Sequence, residues 1–113
     1  MVEPIDGELV VEKKVNSGFI GTNLEEFLQQ NNITTVVITG LTKPHCVSTT
    51  TRISGNFGFN TYLISDATAA FGMRDQNDNY YDAETLHNTS LATLHDEFAT
   101  KLTTEQLIKN VFI

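Results

Sequence analysis

The sequence predicts an α/β fold built on a mostly parallel sheet, and three observations carry that prediction. Short β-branched apolar runs alternate with segments of helical periodicity. One run, "ITTVVITG" at 33–40, is apolar at Val36, Val37 and Ile38 in succession, the pattern of a strand buried on both faces. The 113 residues suffice for one domain, and 40% hydrophobic with 19% charged residues is a globular composition.

The elements follow in order. "GELVVEK" (7–13) is a short β-branched run and reads as a strand. "TNLEEFLQQNN" (22–32) reads as a helix: Thr22 and Glu25 have capping-box spacing, and Leu24, Phe27 and Leu28 share one face. After the strand at 33–40, a helix is expected from about Val47 to Asn56, with Gly55 and Gly58 near its end. "FNTYLISDA" (59–67) reads as a strand and "GMRDQNDNYYDAE" (72–84) as a polar loop. Leu86, Leu91, Leu94 and Phe98 suit a helix over 83–99. "ATKL" forms a last short strand, and "TTEQLIKN" (103–110) a closing capped helix.

Charge and composition exclude several functions. The net charge is -7 and no Lys/Arg cluster forms a basic face, so nucleic acid is not an expected partner. No apolar run approaches the length of a membrane span, and no membrane association is expected. A single cysteine forms no internal disulfide, and the N-terminus carries Glu3 and Asp6 without a long apolar run. A cytoplasmic protein is the expectation. His87 and His95 stand two helical turns apart, too far to share one ion, and no metal is expected. Asp75, Asn77 and Asn79 have calcium-loop spacing, but Tyr80 and Leu86 occupy the positions that need Gly and Glu.

Cys46 stands out by its address. It falls just past a buried strand and at the first turn of the next helix, where open parallel sheets bind ligands. Helix N-termini offer unpaired N–H groups and partial positive charge, which favour a thiolate and can hold an oxyanion. A lone cysteine is also commonly a small buried hydrophobe. Composition and setting leave both readings open.

The residues around Cys46 resemble a known family. "TGLTKPHCVSTTTRISGNFGFNTYLISDATAAF" carries a Gly-x-Thr-x-x-x-Cys-Val turn, a Thr-Arg pair one helix turn on, Gly-Phe, and a strand ending in Asp-Ala. Upstream, "GELVVEKKVNSGFIGTNLEEFL" carries Lys-x-x-x-Ser-small-Phe-x-x-Thr-x-Leu. Both are similar to motifs of the isochorismatase-like cysteine hydrolases, and the resemblance runs from Pro4 onward. It implies a Rossmann-like three-layer α/β/α fold and a Cys–Asp–Lys triad. Cys46 matches the nucleophile and Lys13 the lysine, with Lys14 its neighbour. Leu41–Thr42 matches a non-proline cis peptide, and the Thr42 and Cys46 N–H groups match the oxyanion hole. Phe19 matches an aromatic bordering the pocket; its other reading is core packing. His45 lines the pocket or faces solvent. The implied reaction is hydrolysis of a small amide-like substrate through a thioester, without a cofactor.

The chain departs from the family at one point. The triad aspartate belongs to a strand upstream of the lysine segment, and that strand is not in this sequence. The reading is therefore a single domain over 1–113, truncated at its N-terminus, with no base assigned. The absent strand would pair beside "TTVVIT", so an open edge is expected, filled by a homo-oligomer, by a partner chain, or by the "ELVV" strand. A catalytically inactive chain needing a partner to supply the aspartate is the rival reading. Arg52 is expected to form a structural ion pair, with Asp66 a candidate partner.

Overall fold

Apolar β-branched runs lie beside one another in the sheet core of the computed structural model, which describes residues 3–111. Helix α1 is Leu24–Gln30, and strand β1 is Thr35–Gly40. A single wide π-type turn, Lys43–Val47, runs directly into helix α2, Ser48–Asn56. Strand β2, Asn60–Thr68, is followed by a two-strand hairpin, β3 (Met73–Arg74) and β4 (Tyr80–Tyr81). Helix α3 is Ala83–Leu94, strand β5 is Thr100–Leu102, and helix α4 is Thr104–Val111.

The main sheet has the order β1-β2-β5, all parallel, as predicted. Central β2 is covered on both faces, because neighbouring side chains Leu63 and Ile64 point opposite ways and each is 1% exposed. The Thr61 and Leu63 face meets α2, where the hydroxyls of Thr61 and Ser54 share a buried hydrogen bond of 2.7 Å. Leu63 packs with Ile38, Val47, Leu94 and Ala99 in the main core. The other face lies against α4, whose first residue Thr104 is held by Asp66 at the end of β2. Helices on both sides of a parallel sheet give the three layers.

Four expectations need correction. Residues 7–13 form no strand, and Leu9 and Val10 are 44% and 65% exposed. A β-branched run becomes a strand only against a neighbour, and none is adjacent to it. The "ELVV" segment therefore does not fill the edge of β1; among the described residues β1 pairs with β2 alone. Nor is β1 buried on both faces: Val36 and Ile38 are covered, while Thr35, Val37 and Thr39 are exposed. The capping box is not formed either. Asn23 caps α1 without a side-chain bond, and the Thr22 hydroxyl donates to the Gly18 carbonyl and accepts the Leu24 N–H at 3.3 Å rather than the Glu25 N–H.

Two later segments are more ordered or shorter than expected. The loop at 72–84 contains the β3–β4 hairpin, gathered by Asp75, whose carboxylate accepts from the Asn77 and Asn79 N–H groups and from the Tyr81 hydroxyl. Helix α3 stops at Leu94, where His95 turns extended and Asp96 takes a left-handed φ of 67°. The His95 imidazole Nδ1 then accepts the outward N–H of Lys101 on β5. Among the described residues, no helix is long and apolar enough to cross a membrane.

The Asp66 cap yields a pH prediction. The Thr104 hydroxyl, and after it the Thr104 N–H, hold the Asp66 carboxyl below its ordinary value. A depressed carboxyl contributes stability above its unfolded value, and that stability is lost as pH falls through the folded one. Thermal melts from neutral to acid pH should therefore show Asp66→Asn with a shallower acid decline than the parent. Asp75 and Asp82, lowered chiefly by their bonds to Asn79 and Thr85, keep the rest of that decline.

Candidate active site

Strand β1 ends at Gly40, whose φ of 116° suits a residue without a side chain. The Leu41–Thr42 peptide that follows is cis. The Thr42 carbonyl then accepts the N–H groups of both His45 and Val47, which closes the π turn. Val47 is 4% exposed in the main core, and its carbonyl takes the Thr51 hydroxyl at 2.7 Å. The side chain before it, Cys46, is thereby held half-buried at the carboxyl end of the sheet, free of any disulfide. The sequence places Cys46 in the first turn of an α-helix; the structure places it in the wider turn continuous with one. Such turns recur at functional sites.

A second segment comes over the thiol from 33 residues upstream. Lys13 Nζ donates to Cys46 Sγ at 3.2 Å and to the Val15 carbonyl at 3.1 Å. The amine at the sulfur is that of Lys13 rather than Lys14. The segment is pinned by Ser17, 1% exposed, whose hydroxyl accepts the Phe19 N–H. It is tied to α2 where the Gly18 N–H donates to the Thr50 hydroxyl at 2.9 Å. Thr50 lies one helical turn beyond Cys46, so this bond sets the distance between lysine and sulfur. An ammonium beside sulfur stabilises negative charge there.

A cavity of about 180 Å³ opens at the pair, lined by Lys13, Ile38, Thr39, Leu41, Cys46, Val47 and Thr50. His45 is exposed on the same turn but does not line it. Phe19 is 6% exposed and packs edge-on to Phe57 and stacked on Phe59, away from the cavity lining. Core packing is what the structure shows for it. Arg52 does not meet Asp66: its Nε donates to Ser48, and its guanidinium lies 4.9 Å over the Phe98 ring. Asp66 is already engaged by Thr104.

Among the described residues, no carboxylate forms an ion pair or hydrogen bond with Lys13 or Cys46, and no group of three His, Cys, Asp or Glu is placed to hold a metal ion. One neighbour escaped the sequence reading. Asn16 Oδ1 lies 3.8 Å from Cys46 Sγ. Nothing in its sequence surroundings, a polar residue in a polar stretch, singles it out.

Fold and site together define an α/β protein with a cysteine–lysine pair at the carboxyl edge of a parallel sheet. The Isochorismatase domain model matches residues 2–106, and the chain belongs to the isochorismatase family. It is 77% identical over 110 residues to the uncharacterized isochorismatase family protein YrdC of Bacillus subtilis, covering 97% of this chain and 59% of that protein. N-carbamoylsarcosine amidase of Arthrobacter sp is 47% identical over 58 residues, which are 51% of this chain and 22% of the amidase. A solved structure of an isochorismatase-family protein from Chromobacterium violaceum superposes with a TM-score of 0.91 at 34% identity, covering 95% of this chain and 55% of that one. The chain thus spans less than two thirds of the length of these relatives.

Proposed function

We propose that this chain carries the nucleophile of a hydrolase that cleaves a small amide-like substrate at a C–N bond. The observation that carries the reading is the Lys13 ammonium 3.2 Å from Cys46 Sγ, in a cavity at the carboxyl edge of the sheet. Likeness to an amidase over the half of the chain it covers supports the choice of bond. In the reaction, the Cys46 thiolate attacks the substrate carbonyl carbon and a C–S bond forms. The C–N bond breaks and nitrogen leaves as the amine, taking up the proton that the Cys46 thiol gave up on ionising. Water then adds to the thioester, the C–S bond breaks, and the acid and the free thiol are regenerated. Lys13 offsets charge on sulfur, and the N–H groups of Thr42 and Cys46 are assigned to the oxyanion. No cofactor enters this scheme.

Hydroxylamine tests the thioester directly, because it captures acyl thioesters as hydroxamates. With simple amides, hydroxamate should form at the expense of the acid; with N-carbamoyl and ureido compounds the captured product is the N-hydroxyurea; and acid quenching should leave an acyl or carbamoyl adduct on Cys46. Turnover that yields acid alone, with no adduct, overturns the thioester.

A second reading rests on the open edge of β1 and the lack of a described carboxylate at Lys13. In it, the chain turns over only when another polypeptide, a second copy or a different partner, pairs along β1 and brings a carboxylate to the lysine. Light scattering alongside the same assay separates the two. Activity confined to an assembled form supports the second reading, and full activity of a monomer removes it.

A further inference from the structure

The scheme above leaves one side chain at the sulfur unused. Asn16 lies three residues from Lys13 on the same pinned segment, and its Oδ1 accepts from Cys46 Sγ at 3.8 Å, a long and weak sulfur hydrogen bond. The two neighbours act on the sulfur in opposite senses. Lys13 Nζ is a donor and favours the anion. A carbonyl oxygen accepts only from the protonated thiol, and a hydrogen bond made only by the neutral form disfavours the charged one. We propose that Asn16 is a positioning residue whose carboxamide oxygen holds the Cys46 thiol and favours its protonated form at rest, so that displacing the carboxamide by substrate or a base makes more of the nucleophile available. This rests on Cys46 being the nucleophile, and it adds a restraint on that thiol which the reaction scheme does not contain.

The geometry supports a restraint rather than a chance approach. Gly18, two residues after Asn16, bonds Thr50 on α2, and Ser17 is fully enclosed. The backbone carrying Asn16 is therefore fixed relative to the helix that follows the thiol. Among the described residues, the charged group at the sulfur is Lys13; His45, on the same turn, is exposed and does not line the cavity. The remaining cavity residues, Ile38, Thr39, Leu41, Val47 and Thr50, do not titrate.

Iodoacetamide alkylation, followed at the Cys46 peptide by mass spectrometry across pH, tests this without needing a substrate. Asn16→Ala should alkylate roughly two- to three-fold faster at neutral pH, the size of one modest hydrogen bond. It should match the parent at alkaline pH, where every thiol is ionised. Asn16→Asp keeps an acceptor of the same shape and adds a negative charge, so it should alkylate no faster than the parent. A neutral-pH rate for Asn16→Ala that is unchanged or slower overturns the proposal. So does a rate raised equally at all pH, which would report access rather than ionisation. Lys13→Ala should move the rate the other way; if it does not slow, the lysine's role in the proposed reaction fails while the Asn16 result stands.

Discussion

Replacing Cys46 with alanine should lower turnover by at least about a thousand-fold, the loss usual for removing a covalent nucleophile. Two features make this a sharp expectation. The side chain is only half-buried, and the core contacts of its turn are made by the neighbouring Val47 at 4% exposure. Removing one sulfur atom there should leave the thermal melt within a degree or two of the parent. A cysteine that only packed would behave in the opposite way, costing stability and sparing the rate. The measurement is kcat/KM beside a melting curve for the same preparation. Turnover that survives in Cys46→Ala, with the fold intact, sinks the nucleophile assignment. Lys13→Ala is expected to lose less, because the ammonium tunes the sulfur and forms no bond to the acyl group.

How much of this was legible in the sequence depends on which residues settled their own surroundings. β1 and β2 were legible because short apolar runs containing β-branched residues, Val36–Ile38 and Leu63–Ile64, favour a strand. Helix α3 was legible in its body but not at its end, since Phe98 keeps the helical spacing while Leu94 and Ala99 are drawn into the core by the turn between them. "GELVVEK" misled because strand identity depends on a partner, and periodicity says nothing of partners. The capping box misled because the Thr22 hydroxyl is engaged by the Gly18 carbonyl and the Leu24 N–H, not by Glu25. At the site, Cys46 and Lys13 were found through matched motifs, although 33 residues separate them. Asn16 was missed because a polar residue in a polar stretch carries no signal until the Gly18–Thr50 bond brings its segment over the thiol. Phe19 was ambiguous because pocket and core aromatics share one sequence pattern, and only its contacts with Phe57 and Phe59 decide.

The helix that follows the thiol offers the second large effect, and it runs against intrinsic propensity. Gly55 lies within α2, Ser48–Asn56. In an ordinary helix interior, glycine to alanine stabilises by about 1 kcal/mol. Here a Cβ on residue 55 would sit 2.5 Å from the Phe98 carbonyl oxygen and 3.0 Å from the Phe98 Cα. Both are backbone atoms, so no rotamer change relieves the overlap; the helix or the 95–99 turn must move. That turn is fixed at both ends, by Leu94 at 0% exposure and by Ala99 packed in the same core as Val47. Forcing extra volume into such a site costs about 1–3 kcal/mol. The clash outweighs the propensity gain, because the obstructing groups belong to a hydrogen-bonded turn in which Phe98 and Ala99 both donate to the Leu94 carbonyl. Gly55→Ala should therefore lower the melting temperature by roughly 3–8 °C. A rise would mean that the turn yields freely and that the approach of α2 to Phe98 is not a constraint on the fold. A fall accompanied by altered Cys46 alkylation would show that the strain reaches the thiol through the core that Ala99 shares with Val47.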